Sequence, residues 1–172
     1  MASLYIRWMQ KFIKEYAAFN LWANQRICSV ADKLSEAQFT MEIPSSFSSI
    51  QKTLLHIWDS QVIWIKRMEG TSLGTFPSDK FSGTKQDILE GLISSSVTLD
   101  ELANATDEEA MNEPIQYATL KGDRMSSMRY RIYSHVINHG SYHRGQLVTM
   151  FRQVGVTEPP STDLIFFYRA MR

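Results

Sequence analysis

Three of the four histidines in this 172-residue chain, His135, His139 and His143, fall within one short stretch. The residues around them, Asn138-His139-Gly140-Ser141-Tyr142-His143-Arg144-Gly145-Gln146, otherwise read as helix. Residues four apart on a helix share a face, one turn apart. Two imidazoles placed so can point at a common spot and hold one transition-metal ion. The outer pair stands ~12 Å apart along the axis, against metal–nitrogen bonds of ~2.0–2.1 Å. One ion therefore takes two adjacent rungs and needs a third ligand from elsewhere.

The remaining histidine is His56, on another helical stretch with Thr53, Asp59, Ser60 and Ile63 as neighbours on its face. Spacing alone leaves the pairs 135/139 and 139/143 both open. It also leaves open a reading without metal, in which the imidazoles are hydrogen-bonded core residues. No Glu stands between His139 and His143, where a zincin carries its general base, so the metalloprotease signature is excluded. Three histidines with vacant coordination positions would form a Lewis-acidic centre able to lower the pKa of a bound water or thiol.

Other side chains carry two readings each. Asp59, three residues after His56, is placed to orient an imidazole or accept a proton, or else is a solvated helix acid. Arg144 and Gln146 either fix the helix or reach an anionic substrate, and structure is the favoured role for both. Asn20 and Asn24 interrupt an apolar stripe and could reach the site from the first helix. Tyr142 reads as packing, and Cys28 as a small apolar filler rather than a nucleophile. Gly140 and Gly145 are costly inside a helix, by ~1 kcal/mol each. They imply close backbone approach, room for a ligand, or tight helix packing.

The elements that must position these residues follow from periodicity. Tyr5, Trp8, Phe12, Tyr16, Phe19, Ala23, Ile27, Val30 and Leu34 recur at helical spacing and predict a helix from Leu4 to Lys33. Ser48-Ser49-Ile50-Gln51 has the form of a capping box, with Ser48 at the N-cap, for a second helix ending at Gly70. Thr71 to Gly83 reads as loop. Thr84 caps a third helix through Leu102. Ile115–Leu120 alternates like a short strand before the turn Lys121-Gly122-Asp123. A fourth helix runs from Ser126 to Val154 with Gly155 as its stop, and Ser161 or Thr162 caps a last helix, Asp163 to Met171. Methionines and tryptophans read as core.

Composition is that of one globular domain spanning 1–172, with 44% hydrophobic and 12% aromatic residues. Lys+Arg and Asp+Glu balance at 18 each, so nothing steers the molecule to nucleic acid or an anionic membrane. One cysteine excludes an intrachain disulfide. No signal-peptide pattern or span of ~20 apolar residues is present. The expectation is a cytoplasmic protein.

The stretch Tyr133 to Leu147 closely resembles the signature of the DinB family of helical bundle proteins. Trp22-Ala23-Asn24, Ser49-Ile50 with Leu55-His56-Ile57, Tyr117–Gly122, and Val154-Gly155-Val156 through Pro159-Pro160 to Ile165 are of the same type. The resemblance implies an all-α four-helix bundle with one long crossover connection and a short C-terminal helix, often a homodimer. It also implies a divalent metal, nickel or zinc, on His56, His139 and His143, with His135 a core or supporting residue. Family activities include S-transfer with low-molecular-weight thiols, and many members are regarded as metal-dependent hydrolases. A small-molecule substrate, such as a thiol, is therefore expected. The alternative is a metal-binding stress-response protein without catalysis, or a structural dimerisation module.

Overall fold

The structure, a computed structural model, describes residues 2–171, with side chains from Trp8 onward. Tyr5, placed in the first apolar stripe, therefore lies outside the described side chains. Four long helices dominate: α1 (Ala2–Asp32), α3 (Ile50–Met68), α4 (Lys85–Ala105) and α6 (Arg129–Gln153). Between them lie α2 (Glu36–Thr40), α5 (Glu108–Met111) and a two-stranded antiparallel hairpin, β1 (Pro114–Ala118) and β2 (Arg124–Met128). The short α7 (Leu164–Ala170) follows.

α1 packs on α4 and α6, and α3 packs on the same two, so α1 and α3 sit diagonally across the bundle. One apolar cluster joins Ile27 and Ala31 of α1 to Leu54, Ile88 and Phe151. The other joins Ile13 and Ala17 to Ile65, Leu99 and Ile132. The first collects the end of α1, the starts of α3 and α4 and the end of α6; the second collects the opposite ends. α1 and α6 therefore run one way, α3 and α4 the other. Parallel neighbours cannot be joined by a tight turn, so the 69–84 connection runs the length of the bundle as its long crossover.

Between the two apolar clusters lies a polar layer to which all four long helices contribute. Arg144, fully buried, donates from Nη1 to Asn20 Oδ1 and Asn24 Oδ1, both at 2.9 Å, and from Nη2 to Ser141 Oγ at 2.8 Å. Asn20 Nδ2 donates to Gln61 Oε1 at 3.1 Å, and Asn24 Nδ2 to Ser96 Oγ at 2.9 Å. Asn20 and Asn24 thus do interrupt the apolar stripe, but they turn to Arg144 and not to the histidines. Burial lowers the Arg144 pKa to about 10, which leaves it charged at neutral pH.

Local signals account for most boundaries. Thr84 closes a capping box with Asp87, and Gly70 and Gly155 take positive φ (85° and 96°) just past α3 and α6. The cap of α3 is Ser49 rather than Ser48. Its side chain accepts from Lys52 N at 3.1 Å, which moves Gln51 out of the N3 position and leaves no box. α6 begins at Arg129, not Ser126, because residues 124–128 pair with 114–118 and their backbone groups are taken by the ladder. α7 is preceded by Asp163, not Ser161 or Thr162, and without a side-chain cap. α2 and the 3-10 turn Pro77–Lys80 lie where loop or nothing is predicted. The reading of tryptophan and methionine as core fails at Trp8, 66% exposed, and at Met41, Met125 and Met171.

The two helix-interior glycines of α6 differ. A Cβ on Gly140 would stand 2.9 Å from Arg144 Nη1 and 3.2 Å from Asn20 Oδ1, whereas one on Gly145 meets nothing within 4 Å. Gly140 thus leaves space for the polar layer, and Gly145 faces solvent. Gly140→Ala is expected to destabilise by ~1–3 kcal/mol through overpacking. Gly145→Ala is expected to stabilise by ~0.5–1 kcal/mol through helix propensity. Thermal melts check this, at about 2–4 °C per kcal/mol for a chain of this size; shifts of the same sign would contradict it.

Candidate metal centre

α3 and α6 are antiparallel neighbours, and this brings His56 of α3 opposite His139 and His143 of α6. His56 Nε2 lies 2.9 Å from His139 Nε2, and His139 Nε2 lies 3.2 Å from His143 Nε2. One ligand atom from each of the three lies within 4.8 Å of the other two. Two nitrogens bound to one ion at ~2.0–2.1 Å, with angles between octahedral and tetrahedral, stand roughly 2.9–3.4 Å apart. The two short spacings therefore suit His139 sharing one coordination polyhedron with His56 and with His143.

The protonation pattern points the same way. His143 Nδ1 is 2.8 Å from Gln146 Oε1, an oxygen that can only accept. That bond places the proton on Nδ1 and leaves Nε2 as a lone pair, as a metal ligand requires. Gln146 Nε2 in turn donates to Ser46 Oγ at 3.1 Å, so the carboxamide is held at both ends. Gln146 was expected to be structural, and its structural work is to set the tautomer of an imidazole. His139 Nδ1 is buried with no partner among the described residues.

Electrostatics keep the ring nitrogens free. Burial, with the charge of a protonated His143 as a second cause, brings the pKa of His56 down to about 4. Burial and then the neighbouring imidazoles do the same to His139. Burial lowers His143 as well, opposed by its bond to Gln146. Neutral imidazoles are what a divalent cation binds.

His135 is exposed, edge-on to Trp64 at 5.2 Å between ring centroids and 5.9 Å from the ring of His139. It stands one turn beyond the cluster and is not core. Asp59 is neither solvated nor on an imidazole. It is 4% exposed, and its Oδ1 accepts from Ser78 N at 2.8 Å and its Oδ2 from Ser78 Oγ at 2.5 Å. It pins the long crossover to α3, and burial raises its pKa. Tyr142 is 63% exposed rather than packed, with its ring edge-on to His143 at 5.0 Å. Cys28 is buried and its thiol pKa is pushed up to about 12, as suits a filler.

Phe47 was missed. It stacks on His56 at 4.0 Å and meets His143 edge-on at 5.5 Å, covering one side of the cluster. It sits in the 42–49 loop, where no periodicity marks it. With Leu55, His56 and Phe76 it lines a largely apolar cavity of about 220 Å³, and Asp59 and Ser78 close one side. A larger open groove, about 450 Å³, runs between α1 and α4 past Cys28, away from the imidazoles.

His56 and His139 titrate near 4 when folded and near 6.5 when unfolded. The unfolded chain therefore binds more protons between these values, and stability falls as pH drops from about 6.5 toward 4. Chelator-treated protein is expected to lose melting temperature across that window, with a shallower slope in His139→Gln. Equal slopes in the two proteins would count against this assignment.

Comparison with known proteins places these features. The model of the DinB family matches residues 9–170. Protein DinB of Bacillus subtilis (strain 168) is 28% identical over 165 residues, covering 93% of this chain and 96% of that protein. The fold is also that of two solved structures. A DinB-like protein from Bacillus subtilis has a TM-score of 0.64 at 19% identity, covering 86% of this chain and 97% of the other. A DinB-like protein from Bacillus cereus ATCC 10987 has a TM-score of 0.61 at 18% identity, covering 81% and 89%. No helix among the described residues is long and apolar enough to cross a membrane.

Proposed function

The chain belongs to the DinB family, and from that premise we propose that it is a metal-dependent enzyme built on His56, His139 and His143. The observation that carries this reading is the convergence of three imidazole Nε2 atoms, with one tautomer set by Gln146. Imidazole donors suit nickel or zinc among the divalent ions. Three protein ligands leave further positions open, and an ion held so supplies Lewis acidity, lowering the pKa of a water or thiol that joins it.

The chain's own residues do the rest. Gln146 keeps the His143 proton away from the cluster, and Phe47 shields one side from water. The cavity bounded by Phe47, Leu55 and Phe76 offers an apolar substrate group a place beside His56. An activated thiol attacking an electrophile, or an activated water doing so, fits this arrangement. We favour S-transfer from a low-molecular-weight thiol or hydrolysis over a binding-only role, because a purely structural trio would not need a cavity at its edge.

Protein purified without an affinity tag is expected to carry one divalent ion per chain, lost in His56→Ala. Gln146→Ala is expected to weaken metal affinity ~10–100-fold while the fold is kept. Elemental analysis and competition with a chelating dye measure both. Metal-loaded protein given glutathione or bacillithiol and a panel of electrophiles should turn over, and His143→Ala should not. A chain that binds no ion under any of these conditions would falsify the proposal, and metal without turnover in thiol or hydrolytic assays would leave only the binding role.

A further inference from the structure

Arg67 stands about three turns beyond His56 on the same face of α3, near the C-terminal end of the helix. The residue is 7% exposed. Its guanidinium carbon lies 4.4 Å from the ring centre of Trp64 and 4.9 Å from that of Tyr117, which β1 supplies. Trp64 and Tyr117 are themselves edge-on at 5.1 Å, so the rings form a fixed clamp. The hairpin that carries Tyr117 is tied to the start of the crossover by Ala118 N donating to Ser72 Oγ at 2.9 Å.

A guanidinium carries five N–H donors. Buried cations are ordinarily paired, because leaving one unpaired costs several kcal/mol of desolvation. Here Nε is buried without a partner, and among the described residues no carboxylate or other acceptor bonds the terminal amino groups. Those two groups are not sealed off as Nε is, and they reach solvent. Glu69, two residues on in the chain, pairs with Lys66 at 2.8 Å. The two rings stand 71° apart, so at most one of them lies flat on the guanidinium, and neither takes up its N–H donors in a conventional hydrogen bond. Arg144 makes the contrast. It lies deeper in the fold and its Nε is likewise without a partner among the described residues, yet it spends its terminal donors on Asn20, Asn24 and Ser141.

We propose that Arg67, held between Trp64 and Tyr117, is a binding position for the carboxylate or phosphate group of a small anionic ligand. The planar fork matches both groups with two parallel hydrogen bonds. The clamp removes the rotamer freedom that a free arginine would lose on binding. His135 lies between this clamp and His139, so a bound anion sits alongside the imidazole cluster on the same seam of the bundle. The site does not depend on a metal ion.

The test follows the arginine Nε–H signals of isotope-labelled full-length protein by NMR, with the Arg67 signal assigned by its loss in Arg67→Lys. Inorganic phosphate and succinate are titrated separately against sodium chloride at constant ionic strength. The expected result is a saturable shift of the Arg67 signal with Kd on the order of millimolar. The anion giving the tighter Kd identifies the group recognised. Arg67→Lys keeps the charge and loses the fork, and its anion-induced rise in melting temperature should need about tenfold more anion. If that variant does not fold, Tyr117→Leu, which opens the clamp and moves the same signal, serves for assignment and should weaken binding. The proposal is overturned if neither anion moves the Arg67 signal. It is equally overturned if the shift is linear and shared with surface arginines such as Arg152 and Arg169, which would make the clamp packing only.

Discussion

A fully buried cation organises this bundle. Arg144 lies at mid-height, with apolar clusters above and below it, and among the described residues its hydrogen-bond partners are neutral. Its two terminal amino groups bond the carbonyl oxygens of Asn20 and Asn24 and the Ser141 hydroxyl, while Nε has no partner among the described residues, and those amides pass the network on to Gln61 and Ser96. Four helices thus meet in one hydrogen-bonded layer. Hydrophobic contact alone tolerates sliding of one helix along another by a turn; a charged donor whose partners must stay within about 3 Å does not. We regard the layer as a register device of the kind that buried polar groups provide in helical assemblies. Gly140 belongs to it, since its missing side chain is the space that Arg144 and Asn20 occupy.

The candidate site inherits that register. Arg144 and His143 are consecutive, so they point about 100° apart around α6. One faces α1 and the other faces α3. When Arg144 is fixed against α1, His139 and His143 are presented to α3 at the level where His56 waits. The cluster is then finished by local contacts: Gln146 sets a tautomer and Phe47 roofs the ring of His56. The lowered imidazole pKa values follow from this burial and crowding. Three like-charged imidazolium rings at such distances would repel strongly, so the arrangement favours neutral nitrogens and leaves their lone pairs directed inward.

The long crossover and the hairpin are more than connections. Asp59 takes both hydrogen-bond donors of Ser78 and draws the 69–84 segment onto α3, where Phe76 becomes a cavity wall. The hairpin brings Tyr117 over Arg67 at the other end of the same helix. One face of α3 therefore carries, in order, a cavity, an imidazole cluster and an aromatic-clamped guanidinium, each completed by a different segment from outside the four helices.

Much of this was legible in the chain. The four long helices follow from apolar periodicity, and the starts and stops at Thr84, Gly70 and Gly155 follow from cap chemistry. That two adjacent rungs of one helix can share an ion, 135/139 or 139/143, follows from helical pitch, because ligands one turn apart on one element need no tertiary knowledge. The capping box Ser35–Gln38 that starts α2 is also written in the sequence. The choice of His139 and His143 over His135 and His139, by contrast, came from the family resemblance, and His56 stood out as the one histidine outside that stretch. The roles of Asp59, Asn20, Asn24, Tyr142 and Phe47 were not readable. Each depends on what faces the residue from another segment, and periodicity reports which side of its own helix a residue occupies but not what lies across from it. Sequence by itself determined the helices, their apolar faces and the run of histidine rungs on one of them. Tertiary structure decided which buried polar groups are partners, because a hydrogen bond over a hundred residues of chain is set by the angle and level at which two helices cross.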